Sequence, residues 1–321
     1  MMKQIMKSTL FTLLKTLGVD KRYIKDIKTN HHLTILSLHQ VSPKANPYYP
    51  PLHPELFEIL LAYISQHFNV ITFAQIEEYK ESHKPNLILS FDDGYYDFYE
   101  YVMPLLEKYS LRANLNIIPE CVESAMPMWN IRLYDFLNSS SLEQINIIDL
   151  QGFEEKLRSD SVADKSKYGL AISRFLKNRP RAERDKLFKE LFDDIEKNHT
   201  IEYTKMLGRE EIISIAKIHE IGVHSYAHES MKFESSDYFE NDFRLCQEYF
   251  RDKLQLPLDI YAFPNGSYRD EQIDFLLEQG IGHILLVDDK YADYDSPTKK
   301  RFTFYADSAN EVKLRAVGFF K

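Results

Sequence analysis

Leu87-Ile88-Leu89-Ser90-Phe91-Asp92-Asp93-Gly94 is the stretch on which the fold turns. A short apolar run bounded by turn residues reads as a buried strand. Side chains alternate faces along a strand, so two adjacent acids do not belong inside one. They belong at its carboxyl end, where the chain turns and Gly94 permits an unusual backbone angle. In α/β folds the carboxyl ends of the strands are where ligand chemistry sits. Alone, the stretch reads equally well as a solvated Asp-Asp-Gly turn.

The flanking chain supplies the context. Leu33 to Leu38 reads as a strand running into His39, and Asn46 to Pro54, with four prolines and two tyrosines, as a loop. Pro54 opens a helix with Leu56, Phe57, Leu60, Leu61 and Ile64 on one face. Asn69 to Phe73 reads as a strand and Ala74 to Glu81 as a helix. Tyr95 to Tyr109 reads as a helix bent or restarted at Pro104, and Ala113 to Ile118 as a strand. Strand and helix alternating at roughly thirty residues per unit predict a parallel sheet with helical crossovers. From about 120 to 207 charged helical segments take over, the clearest being Tyr168 to Leu176 and Glu183 to Ile195. This is expected to be a helical insertion able to cap a site, with Trp129 either the hinge of its packing or a substrate contact. The alternation then resumes: helix Arg209 to His219, strand Ile221 to His224, helix Asp237 to Leu254, strand Ile260 to Phe263, helix Asp270 to Gln279, and strands His283 to Val287 and Arg301 to Tyr305.

Two further stretches carry chemistry. In Glu220-Ile221-Gly222-Val223-His224-Ser225-Tyr226-Ala227-His228, two histidines four apart share a face if the segment is helical. Neutral imidazoles beside a carboxylate suit zinc and similar divalent metals. Ala262-Phe263-Pro264-Asn265-Gly266-Ser267-Tyr268 is another apolar run ending in a turn. In this order and spacing, interrupted by one long insertion, Phe-Asp-Asp-Gly, His-Ser-x-x-His and Phe-Pro-Asn-Gly resemble the three motifs of the polysaccharide deacetylases, the NodB-homology domain of carbohydrate esterase family four. The resemblance spans roughly Leu33 to Phe304.

That resemblance implies an α/β chain folded as a distorted (β/α)7 barrel, with residues 1–32 an amphipathic helix and linker and 33–321 the deacetylase-like domain. It implies a divalent metal, zinc first and cobalt, nickel or manganese as alternatives, held by Asp93, His224 and His228. Asp92 would be the general base. A backbone N–H near Asn265 and Pro264 would meet the developing oxyanion, and His39, on the same rim, is a candidate substrate or outer contact. Two departures stand against the family pattern. Ala262 occupies the place of an arginine that would hold the base carboxylate, and the strand His283 to Val287 runs into Asp288-Asp289 rather than the histidine expected as general acid. Asp288 or His39 are the substitutes available. The expected activity is removal of N-acetyl groups from an amino sugar in a glycan, or in its lipid-linked or nucleotide-linked precursor. The alternatives are a catalytically dead glycan binder and a deacylase of a non-sugar amide or O-acetyl ester.

Composition bounds the rest. With 44% hydrophobic residues, 13% aromatics and a formal charge of −9, the 321 residues suffice for a folded core and argue against sequence-independent nucleic-acid binding. Cys121 and Cys246 read as buried reduced thiols. Met1 to Gly18 sets Lys3, Lys7 and Lys15 among Ile5, Met6, Leu10, Phe11, Leu13, Leu14 and Leu17. It is too short to span a bilayer and lacks a small-residue cleavage site, so neither a transmembrane helix nor a secretory signal is expected. The helix is read as packing on the domain, or alternatively as lying on an anionic membrane surface. A cytoplasmic protein is the corresponding expectation, membrane-associated only on the second reading.

Overall fold

The computed structural model describes residues 2–146, 150, 152–198 and 201–319. Met1, Phe320 and Lys321, which close the expected domain limits, lie outside them. Eight strands form one parallel sheet: β1 Thr34–Leu38, β2 Asn69–Val70, β3 Asn86–Phe91, β4 Asn114–Ile117, β5 Glu220–Val223, β6 Ile260–Ala262, β7 His283–Val287 and β8 Thr298–Thr303. β1 pairs with both β3 and β8, which closes seven strands into a barrel and leaves the two-residue β2 appended to β3. The fold is the expected (β/α)7 barrel. β1 and β3 are buried along their whole length, as apolar strands covered on both faces must be.

The helix Pro54–His67 shows why the crossovers form. Proline occupies its first turn, the His53 side chain accepts from the Glu55 N–H, and Phe57, Leu60, Leu61 and Ile64 are buried at helical spacing. Other segments differ from expectation at their ends. The segment read as a helix from Tyr95 becomes a wide π-turn over Phe98–Val102, then an α-helix over Met103–Lys108. Pro104 has no N–H to return to the Glu100 carbonyl, and the wide turn absorbs the missing bond. The last strand is Thr298–Thr303, which starts three residues and ends two residues earlier than expected.

Between β4 and β5 lie helices Pro119–Ser124, Trp129–Ser139, Leu142–Asn146, Val162–Lys177 and Arg181–Asn198. They enclose an apolar core of their own, including Ile131, Phe136, Leu137, Ile172 and Leu176, into which barrel loops insert Tyr48 and Tyr95. Tyr48 stacks on Tyr134 at 5.0 Å, so the proline-rich loop after β1 is fixed against the insertion. Both come to rest on the carboxyl-end rim of the barrel.

Candidate metal and catalytic centre

β3 ends at Phe91, and the next residues turn sharply: Asp93 and Gly94 both take left-handed backbone angles, with φ of 76° and 74°. The turn makes the two carboxylates diverge. Asp92 points into the barrel and Asp93 over its rim. Left-handed angles recur at Ser225, His228 and Asn265, in the other two motif loops. Each costs a non-glycine residue roughly 1–2 kcal/mol, and such strain persists only where the surroundings impose it.

The two histidines do not lie on a helix as their spacing suggested. β5 ends at Val223, and the loop brings both rings inward through the left-handed turns at Ser225 and His228. The Asp93 Oδ1 lies 3.5 Å from His224 Nε2 and 3.4 Å from His228 Nε2. One donor atom from each residue falls within 4.8 Å of the others. Asp93 Oδ1 is buried and has no hydrogen-bond partner, which is unusual for a carboxylate oxygen. The His224 Nδ1 faces the Ala262 carbonyl at 2.9 Å, which sets its proton there and leaves Nε2 bare. Burial pushes the His224 imidazole down to about 4, so it is neutral at physiological pH. Burial works against the charge of Asp93, but His228 beside it and the other imidazoles nearby hold its carboxyl below the usual range. Two imidazole nitrogens and one buried carboxylate oxygen are a donor set that fits a divalent cation.

Asp92 is 2% exposed. Arg301, fully buried on β8, grips it with two parallel bonds of 2.8 Å, one to each oxygen. Asn116 of β4 donates to the same carboxylate at 2.7 Å, and Ser90 links Arg301, Asn114 and Asn116 into one network beneath it. Burial opposes the charge of Asp92, and the guanidinium outweighs it, so the carboxyl titrates far below its ordinary range. This corrects the reading of a lost arginine. Ala262 does stand where one was expected, but Arg301 reaches the same carboxylate from a different strand. Gly222 makes room for the network: a Cβ there would lie 2.3 Å from the Asn116 Oδ1.

The other rim residues fall as follows. Asn265 is exposed, with a φ of 58°, and its amide donates to the Ser230 hydroxyl at 3.1 Å, tying the third-motif turn to the loop beyond His228; Pro264 beside it is buried. His39 packs edge-on to Tyr49 at 5.4 Å, and its field lowers both carboxyls. Asp288 is exposed. Tyr49 and Tyr95 were not singled out from sequence. Burial and the facing carboxylates of the pair raise both phenols well above their ordinary value. A cleft of about 560 Å³ opens beside Tyr95, between the loop after β1 and the insertion, lined also by Gln40, Asn46, Asp97 and Tyr203.

The insertion reaches the centre through a salt bridge. Arg184, on helix Arg181–Asn198, makes a buried two-bond pair with Glu229, the residue after His228. Arg184 also lies over the ring of Trp129, which packs on Phe188, so Trp129 is part of the insertion's packing at the wall of this bridge. The same loop is held at the Tyr226 carbonyl by the Glu120 N–H and at the Tyr226 N–H by Asp242, both at 2.9 Å. Removing one member of a buried pair leaves an unpaired charge, typically at a cost of 3–5 kcal/mol. Arg184→Met is therefore expected to lose about that much stability in urea unfolding. The double variant Arg184→Met/Glu229→Met should recover most of it. Additive losses would show that the pair is not coupled.

The polysaccharide deacetylase family profile matches residues 195–282, which contain the His-Ser-x-x-His and Phe-Pro-Asn-Gly segments. No curated protein sequence matches the chain. Several solved structures share the barrel. A Streptococcus pyogenes deacetylase, PplD, in complex with acetate superposes with a TM-score of 0.58 at 14% identity over 89% of this chain and 98% of its own. IcaB from Ammonifex degensii gives 0.55 at 15% identity over 89% and 97%. A de-N-acetylase from Aggregatibacter actinomycetemcomitans gives 0.52 at 13% identity over 84% and 94%. At these identities the likeness is one of fold, and the family resemblance rests on the motif segments with it.

Proposed function

We infer, for a chain with the barrel and the motif segments of the polysaccharide deacetylases, that it hydrolyses the N-acetyl groups of amino sugars in a glycan. The observation that carries this reading is the meeting of Asp93, His224 and His228 beside an ionised Asp92 locked by Arg301. Asp93, His224 and His228 would hold a divalent ion, zinc in our reading, which when bound supplies Lewis acidity toward the acetyl carbonyl and eases ionisation of water.

The chain's own residues supply the rest. Asp92 takes the proton of the attacking water, and Arg301 keeps it charged and aimed while it does so. The turn at Pro264-Asn265 offers the Asn265 backbone N–H to the oxyanion. His39 is the residue we assign to protonate the leaving amine, since the acids at the end of β7 are exposed and His39 faces the carboxylate pair. Tyr49 and Tyr95 wall the centre from water, and the adjoining cleft accepts the sugar chain. The substrate class we favour is an N-acetylated glycan or its lipid-linked precursor.

The purified chain is expected to bind about one divalent ion, as a single three-ligand site allows. His224→Ala and His228→Ala should each lose it. Acetate release from N-acetylglucosamine oligomers and acetylated precursors, followed with and without chelator, tests the activity. Unchanged metal content in both histidine variants would refute the metal site. A broad panel without acetate release would favour a glycan-binding role.

A further inference from the structure

We propose that the N-terminal helix is a peripheral anchor that lays the protein on an anionic lipid surface. The helix spans Met2–Thr16 and has two unlike faces. One is committed to the domain. Phe11 is buried, edge-on to Phe319 at 6.2 Å, and Lys7 pairs with Asp307 and Glu311 at 2.8 and 2.9 Å. Lys15 pairs with Asp20 at 2.8 Å.

The other face is apolar and open. Met6, Leu10, Leu13 and Leu17 follow at intervals of four, three and four, which stacks them along one side, and each is more than half exposed. Among the described residues no other helix exposes such a row of large apolar side chains. The polar groups beside it are already satisfied. The Thr12 hydroxyl donates to the Ser8 carbonyl at 2.9 Å and the Thr16 hydroxyl to the Thr12 carbonyl at 2.8 Å. These donors can leave water without losing a partner.

Charge selects the occupant. The first 28 residues hold seven lysines and arginines against two aspartates, in a chain whose net charge is −9. The helix itself has no acid, and the next one, Val19–Thr29, exposes Lys21, Arg22, Lys25 and Lys28. A second copy docking through the same stripe would bring two basic segments together. An anionic bilayer supplies both what the stripe and what the cations need: an apolar layer under a negative surface. No described helix is long and apolar enough to cross a membrane, so the contact is one of lying on the surface.

The test is sedimentation of the full chain with lipid vesicles, and it uses no enzymatic readout. Vesicles of equal phosphatidylcholine and phosphatidylglycerol are expected to carry the protein down. Pure phosphatidylcholine should bind it about tenfold less. Leu10→Glu/Leu13→Glu should lower binding to the mixed vesicles by at least about tenfold, with the thermal midpoint unchanged because both side chains face outward. Lys21→Gln/Arg22→Gln/Lys25→Gln, which spares the stripe, should weaken binding and flatten its salt dependence. Failure to bind mixed vesicles, or binding indifferent to the leucine substitutions, would overturn the proposal. So would a wild-type dimer in solution that the leucine variant converts to a monomer, because the stripe would then be a self-interface.

Discussion

Asp92→Asn is expected to lower acetate release by roughly 10²–10⁴, the range over which a positioned general base contributes, while leaving bound metal unchanged. The amide keeps the shape of the carboxylate but cannot take a proton from water, and its NH2 faces an N–H donor where an oxygen accepted. Metal content should hold because Asp92 is turned into the barrel, whereas Asp93 faces the imidazoles. The variant will also be less stable, since Arg301 then faces a neutral group in a site with no exposure. Activity should therefore be measured at a temperature where circular dichroism shows the variant folded. Two results would separate the possible failures. Loss of both metal and activity would mean that Asp92 serves the cation site. Full activity would mean that the proton goes elsewhere.

The divergence of Asp92 and Asp93 was legible in the sequence because adjacent acids at a strand end, followed by glycine, can be reconciled with a buried sheet in few ways. The barrel was legible for a similar reason: parallel strands buried on both faces read as continuous apolar runs, and crossovers impose a repeating length. The convergence of His224 and His228 was legible as an outcome but not as a geometry. The spacing suggested a helical face, whereas strained left-handed turns achieve it, and their strain is held by Arg184, Glu120 and Asp242 from distant segments. Arg301 was missed. It stands at the start of the expected last strand but was given no role, because nothing in Thr298-Lys299-Lys300-Arg301-Phe302-Thr303 marks which basic residues turn inward; Lys299 and Arg301 do, and both are buried. A signal was available. A carboxylate inside a barrel requires a buried cation, and an inward-facing arginine on a neighbouring strand can supply it from any position around the ring. The tyrosines at the rim carried no such signal, because their burial depends on the insertion's packing against the loop after β1.

Arg301→Met should be the most damaging single change in the barrel that leaves every proposed metal ligand in place. Arg301 is bound at both Asp92 oxygens, at the Ser90 hydroxyl and at the Leu286 carbonyl. Its removal strands a buried carboxylate, at an expected cost of about 3–5 kcal/mol in unfolding free energy. The sign of the pH dependence follows from the pair. In the native protein the Asp92 carboxyl titrates below its unfolded value. Its stabilisation is therefore complete above the ordinary carboxylate range and is lost as pH falls through the depressed native value. Without the guanidinium, burial is no longer outweighed and drives the carboxyl upward. Stability that the wild type keeps at mildly acid pH would then be missing, and the acid limb of the rate profile should move to higher pH as the base protonates earlier. Arg301→Lys distinguishes charge from geometry. An ammonium retains the attraction but not the fork, so this variant should fall between wild type and Arg301→Met in urea midpoint and show a smaller shift of the acid limb. Should Arg301→Met unfold at the wild-type urea concentration with an unmoved acid limb, Asp92 would not depend on the arginine for its charge, and the assignment of Arg301 as the residue that positions the base would fail.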